Sequence, residues 1–237
     1  MKLSQLLFSQ GFGTRRECEA LLFSEQVQID GEVRDDPDHE VVAEGLHFVV
    51  QGIAWTYRER ALLVLNKPAH YECSQKPKHH LSVYTLLPAQ LCRRGVQAIG
   101  RLDEDTTGVL LFTDNGTLIH QLTSPKRHVA KIYEVRCKHP VDAAQVGQLL
   151  KGVVLHDDNE TVVADACEAV GPDALRLTLV EGKYHQVKRM VAAAGNRVEE
   201  LHRSEFGGVR VNDLASGAWR WLSAAEEEAL QAKGARR

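Results

Sequence analysis

The spacing of apolar side chains changes period several times along the chain, and each change marks an element. Leu3, Leu6 and Leu7 recur at helical spacing until Gly11-Phe12-Gly13 interrupts them. Thr14 then stands as an N-cap before Arg15–Phe23, and Glu17 completes a capping box, so a second helix is predicted there. Val27-Gln28-Ile29 alternates and meets Asp30-Gly31 ahead of Val33, the pattern of a hairpin. Val41 to Val50 reads as a short strand region. Gln51-Gly52 with Trp55-Thr56-Tyr57-Arg58 reads as a junction, which divides the chain into residues 1–57 and 58–237.

The second part opens on the apolar run Ala61 to Leu65, stopped by Asn66-Lys67-Pro68. Further strands are expected at Val109–Phe112, Lys131–Cys137, Thr161–Cys167 and Leu175–Val180, and helices at Asp142–Leu150 and His185–Ala194. Asp114-Asn115-Gly116 has the chemistry of a tight turn. Helices and strands mixed without a regular βαβ alternation argue for an α+β fold. Ala225 to Arg237 is expected to begin as a helix and fade into a disordered basic end.

A chain of 237 residues that is 43% hydrophobic and 26% charged can bury one real core plus a small module. No apolar run reaches bilayer length and Met1-Lys2-Leu3-Ser4-Gln5 lacks a signal pattern, so a cytoplasmic protein away from membranes is expected. Cys18, Cys73, Cys92, Cys137 and Cys167 show neither paired spacing nor a neighbouring histidine cluster, which argues against disulfides and zinc. His79-His80, beside Lys76 and Lys78, reads as a solvated loop rather than a ligand set. No G-x-G-x-x-G and no phosphate-binding G-x-x-x-x-G-K-[ST] is present, so no nucleotide or redox cofactor is expected.

The net charge of −3 hides a contrast. Residues 1–60 carry six Lys/Arg against eleven Asp/Glu, whereas Ser124 to His139 holds Lys126, Arg127, Lys131, Arg136 and Lys138 with Glu134 as its one acid. That stretch reads either as a strip that follows phosphates or as a solvated charged face.

Chemistry concentrates in Gly100-Arg101-Leu102-Asp103-Glu104-Asp105-Thr106-Thr107-Gly108, immediately before the buried run. Polar groups at the mouth of such a strand are held by a stiff scaffold yet open to a ligand. Alternatively, the Asp and Thr side chains cap their own backbone.

The full array G-R-L-D-x-D-T-T-G-x-L-L-x-T-D-x-G resembles the signature of bacterial RNA pseudouridine synthases of the RsuA/RluB group. Gly182-Lys183-Tyr184-His185-Gln186-Val187-Lys188-Arg189-Met190 is similar to that family's E-G-x-x-x-Q-V-[KR]-R-M motif, and Lys131-Ile132-Tyr133-Glu134-Val135 to its K-x-Y-x-V strand. Two helices, a Gly-rich turn and a hairpin ending in Asp-Gly resemble an S4 RNA-binding domain. The resemblance implies a small N-terminal S4-like domain followed by a catalytic domain whose central sheet is mixed but largely antiparallel.

It also implies roles. Asp103 matches the catalytic aspartate, acting either as a nucleophile on C1′ or as a base on the C2′ proton. Tyr133 matches the tyrosine that stacks on uracil, and Lys188 the basic partner of the aspartate, with Arg189 as the competitor. Arg101 would fill the space that a flipped uridine leaves, or pair with Glu104 or Asp105. Further RNA contacts would come from Arg15, Arg16, Lys126, Arg127, Lys131, Arg189 and Arg203, although Arg15 and Arg16 could simply pair with Glu19. The reaction requires no cofactor or metal. The Tyr184-His185 pair before Gln-Val resembles the small-subunit branch of the family, whose target is uridine 516 of 16S rRNA. The expected partner is thus 16S rRNA in a small-subunit assembly intermediate, bound by a monomer. A large-subunit rRNA enzyme and an inactive S4-type RNA-binding protein stand as the alternatives.

Overall fold

A computed structural model describes residues 1–155 and 159–235 of the protein, which forms two compact units. The first holds Met1–Ala61 together with Leu87–Gln97, the second Leu62–Leu86 with Ala98–Arg237. Arg236 and Arg237, where the sequence suggests a disordered end, lie outside the described residues.

In the first unit, α1 (Leu3–Ser9) buries the three leucines that set its period. α2 (Arg15–Phe23) starts in a complete capping box: Glu17 N donates to Thr14 Oγ1 at 3.3 Å and Thr14 N to Glu17 Oε2 at 2.6 Å. Such a cap contributes about 1 kcal/mol. β1 (Val27–Ile29) and β2 (Glu32–Val33) form the hairpin, with Asp30 and Gly31 both at positive φ as the tight turn demands. β3 (His47–Val50) and β4 (Ile53–Thr56) complete an antiparallel sheet in the order β2-β1-β3-β4.

Two sequence expectations change here. Gln51-Gly52 is the turn of a β3–β4 hairpin and Trp55-Thr56 belong to its second strand, so this segment is not a linker. Trp55 is buried, with its ring 5.6 Å from that of Phe12 in an edge-to-face contact, and this explains why so large a side chain ends the strand. The single cut after residue 57 also omits Leu87–Gln97, which contains α3 (Ala89–Arg93). Arg94 fixes that return: its guanidinium donates to Gln10 Oε1 at 2.9 Å and to the carbonyls of Arg58 and Glu59 at 3.0 and 3.2 Å.

The second unit is built on a sheet whose main path joins β5 (Leu62–Lys67), β6 (Thr107–Thr113), β7 (Lys131–Cys137), β8 (Ala166–Gly171), β9 (Ala174–Leu179), β10 (Val198–Phe206) and β11 (Trp219–Trp221). Their spatial order is β8-β9-β7-β10-β6-β5-β11. Only the β10–β6 pair on this path is parallel. β5 and β6 are buried on both faces, which is why they read as continuous apolar runs. Val109 and Leu111 share one core with Leu118, Leu122 and Leu230, from α4 (Gly116–Thr123) and α7 (Ala224–Ala235). Phe112 instead meets the Tyr84 ring edge-to-face at 5.5 Å. β7, half covered, alternates along its length.

The expected turn at Asp114-Asn115-Gly116 is a helix start: Leu118 N donates to Asn115 Oδ1 at 3.2 Å, so Asn115 caps α4. Turns and N-caps favour the same residues, and here the apolar period of Leu118 and Leu122 decides. α5 (Ala143–Lys151) and α6 (Gln186–Ala193) occupy the remaining helical stretches. Among the described residues no helix is long and apolar enough to cross a membrane.

Candidate active site

The Gly100–Thr106 segment enters β6 over a buried cation, Lys67, which the sequence pattern assigns to a polar stop but which ends β5. Lys67, at the end of β5, is fully buried, and its ammonium donates to the carbonyls of Pro68, Glu104 and Thr106 at 3.0, 3.0 and 2.8 Å. Burial pushes its pKa down, while Cys73, Glu104 and Asp105 pull the other way. Thr106 N also donates to Asp103 O at 3.2 Å, closing a turn that carries the Asp103 side chain. Just beyond, Gly108 (φ +101°) lets β6 approach β10: a Cβ there would lie 2.3 Å from Arg203 O. No other residue type fits that approach.

Asp103 is partly open, with 26% of its side chain exposed. Its Oδ1 lies 3.3 Å from His185 Nε2 and its Oδ2 3.3 Å from Lys188 Nζ. Asp105 stands on the same side and takes Lys188 more closely, at 2.6 and 2.8 Å. Burial opposes ionisation of Asp105, but the Lys188 hydrogen bond and charge outweigh it and hold this carboxyl below its ordinary range. Burial likewise works against the Lys188 ammonium, yet Asp105 and Asp103 together raise its pKa. The lysine is therefore a cation shared by the two aspartates, and its charge favours the ionised form of Asp105. Arg189, one position on, turns away and donates to Tyr184 O at 3.3 Å. Glu104 points to the opposite side, towards His70 and His80.

The loop before α6 shows why its motif needs both Glu and Gln. Gln186 Nε2 donates to Glu181 Oε1 at 2.7 Å, and Lys183 N donates to Gln186 Oε1 at 2.8 Å. These bonds shape the turn in which His185 adopts φ +48°, with its ring stacked on Tyr184 at 3.8 Å. His185 as a neighbour of Asp103 was not foreseen; in the sequence it is one polar residue in a run of them.

A cavity of about 310 Å³ opens between these groups, lined among others by Arg101, Asp103, Lys131, Tyr133, His185 and Arg203. That volume lies within the range of small-ligand sites. Tyr133 is 8% exposed and forms part of its wall, paired in register with Arg203 across β10. Arg101 is exposed at the rim and makes no ion pair with Glu104 or Asp105 among the described residues.

The basic strip is corrected. Lys131, at 6% exposure, belongs to the cavity wall and not to an outer face, and Arg203, at 2%, lines the same cavity. Lys131 Nζ donates to Val129 O at 2.9 Å, and burial together with the Arg203 charge pushes its pKa down to about 8. Arg203 Nε donates to Val109 O at 2.8 Å, while its buried Nη2 finds no partner among the described residues. Strand alternation explains the change, because residues two apart on β7 share a face and Lys131 shares that of Tyr133. Arg136, on the other face, pairs with Glu200. Lys126 remains exposed on a short 3₁₀ turn, with Arg127 half-buried beside it. In the first unit Arg15 and Arg16 are exposed on α2; Arg15 lies over the Phe8 ring, and neither pairs with Glu19 among the described residues.

Comparison with known proteins agrees with this architecture. Residues 61–193 match the RNA pseudouridylate synthase family and residues 1–45 the S4 domain. The chain is 37% identical to ribosomal small subunit pseudouridine synthase A of Escherichia coli K12, covering 96% of this chain and 98% of the relative. It is also 37% identical to the RNA pseudouridine synthase YtzG of Bacillus subtilis, covering 96% of each. A crystal structure of a pseudouridylate synthase superimposes with a TM-score of 0.69 at 31% identity, over 97% of this chain and 99% of that one. The chain therefore belongs to the RNA pseudouridine synthase family, in the RsuA-type arrangement of an S4 domain ahead of the synthase domain.

Proposed function

We propose that the protein isomerises uridine to pseudouridine in ribosomal RNA, at uridine 516 of 16S rRNA. The observation that carries this reading is the Asp103 carboxylate on the cavity wall, 3.3 Å from both Lys188 Nζ and His185 Nε2. The reaction breaks the bond from N1 to the ribose C1′, turns the base and joins C5 to C1′; C5 then gives up its proton and N1 takes one up, so the proton count is unchanged. Atoms and electrons balance within the substrate, so the reaction consumes no oxidant and no co-substrate. Asp103 engages the sugar, either by adding to C1′ and being displaced when C5 attacks, or by removing the C2′ proton and returning it, with the Lys188 ammonium 3.3 Å away. Tyr133 packs against the uracil, and Arg101 at the rim occupies the gap left in the RNA stack. Lys131 and Arg203 place positive charge behind the base, where it stabilises negative charge that develops on the departing uracil.

The small-subunit target rests on the Tyr184-His185 pair and on the name of the Escherichia coli relative, a ribosomal small subunit pseudouridine synthase. The equally similar Bacillus subtilis relative has no target in its name, so identity alone does not select one. A small-subunit assembly intermediate bound by a monomer in the cytoplasm fits this substrate. The test maps pseudouridine by carbodiimide modification and primer extension on both rRNAs after incubation with purified protein. A new stop adjacent to position 516 of 16S rRNA is expected. Modification confined to large-subunit RNA contradicts the substrate assignment, and none on either RNA contradicts the enzymatic one.

A further inference from the structure

On the side facing away from Asp103, the next carboxylate meets two imidazoles. Glu104 Oε2 lies 3.6 Å from His70 Nδ1 and 3.7 Å from His80 Nε2, and one ligand atom from each of the three residues falls within 4.8 Å of the others. A charge-assisted hydrogen bond would close to about 2.7–2.9 Å. Neither contact does, and Glu104 Oε2 is shut off from solvent without a hydrogen-bond partner. Ligand atoms about 2.0–2.2 Å from a tetrahedral zinc stand roughly 3.3–3.6 Å apart, and the two Glu104 gaps of 3.6 and 3.7 Å lie at the outer edge of that spacing and beyond direct pairing.

The backbone holds this spacing in place. His70 N donates to Glu104 O at 2.7 Å, and His70 sits at φ +65°, which fixes it beside the carboxylate. The loop carrying His80 is wrapped round a single carboxylate: Glu72 accepts from the backbone N–H groups of Lys78, His79 and His80 at 3.0, 2.7 and 2.9 Å. The two rings stand 6.0 Å apart between centroids and are inclined at 35°. The His70 side chain is 77% exposed, which gives an ion a route in from solvent.

We propose that His70, His80 and Glu104 form a three-ligand site for a zinc-class divalent transition metal, which clips the 70–80 loop to the segment bearing Asp103. Two imidazoles and one carboxylate favour zinc and its neighbours over magnesium or calcium, which demand oxygen donors. The fourth position is left to water or to an incoming group. His79 was read in the sequence together with His80, but it takes no part in the cluster.

The experiment titrates tag-free, full-length protein with zinc in competition with a chromophoric chelator, and with cobalt(II) as a spectroscopic probe. Wild type and His79→Ala are expected to take up one zinc per chain and to give the visible absorption of low-coordinate cobalt. His80→Ala and Glu104→Gln should bind zinc at least roughly tenfold more weakly and lose that absorption. Circular dichroism of the metal-free variants separates ligand loss from misfolding, and His70→Ala replaces any variant that fails to fold. Absence of saturable binding in the wild type, affinities unchanged in His80→Ala and Glu104→Gln, or an equal loss in His79→Ala would each overturn the assignment.

Discussion

Lys126 and Lys131 lie five positions apart in one basic stretch, yet they meet different physics. The first is exposed on a 3₁₀ turn, where salt screens it and a phosphate can displace its water. The second is 6% exposed behind the cavity, bound to a carbonyl and held near the limit of staying charged. Charge counted along a sequence therefore does not distinguish a cation that grips RNA from one that shapes the reaction site. The count in the chain is nearly balanced, and what matters is which cations the fold withdraws from water.

The sharpest way to probe the buried class is Lys67→Met. It strips three backbone carbonyls of their shared donor, and a loss of about 3–5 kcal/mol in stability is expected from denaturant unfolding. A change below about 1 kcal/mol would mean that the Asp103 turn holds itself together. Next in size is the pH response of Lys131. Its folded pKa of about 8 lies below the unfolded value of 10.5, so between these pH values the unfolded chain binds more protons. The desolvation penalty is complete below pH 8 and is relieved as pH rises towards 10.5. Relative to Lys131→Met, the wild type should gain stability over that window; a difference that stays flat with pH would contradict its burial as a charged group. The smallest effect concerns the exposed class. Lys126→Ala with Arg127→Ala should reduce the slope of log affinity against log salt by about one to two units, while the uridine selected stays the same. An unchanged slope would remove this turn from the RNA path.

The parts of the fold legible from the sequence are those with a strong local period or a specific cap. β7 and β9 alternate, the capping box at Thr14 is complete, and the apolar runs of β5 and β6 announce strands buried on both faces. Illegible features depend on partners distant in sequence. Leu87–Gln97 joins the first unit through Arg94, whose acceptors lie at positions 10, 58 and 59. Asn115 looks the same as a turn residue and as a cap until the helix after it is seen to pack.

At the site, the resemblance of three motifs to the synthase family singled out Asp103, Tyr133 and Lys188, and the fold brings all three to one region. Lys131 was read with the exposed strip, because composition carries no information about which face of a strand is covered. The contact of His185 with Asp103 and the grouping of His70, His80 and Glu104 were not legible, because histidines far apart in sequence carry little signal until the chain brings them to their partners.

One ambiguity reaches the centre of the account, since Lys188 lies closer to Asp105 than to Asp103. Single-turnover conversion of uridine in rRNA by Asp103→Asn and Asp105→Asn, with RNA affinity measured in parallel, separates the two carboxylates. The account predicts that Asp103→Asn abolishes conversion while still binding RNA, and that Asp105→Asn, which disturbs only the shared lysine, retains activity reduced by roughly 10- to 100-fold. Conversion surviving in Asp103→Asn and lost in Asp105→Asn would contradict it.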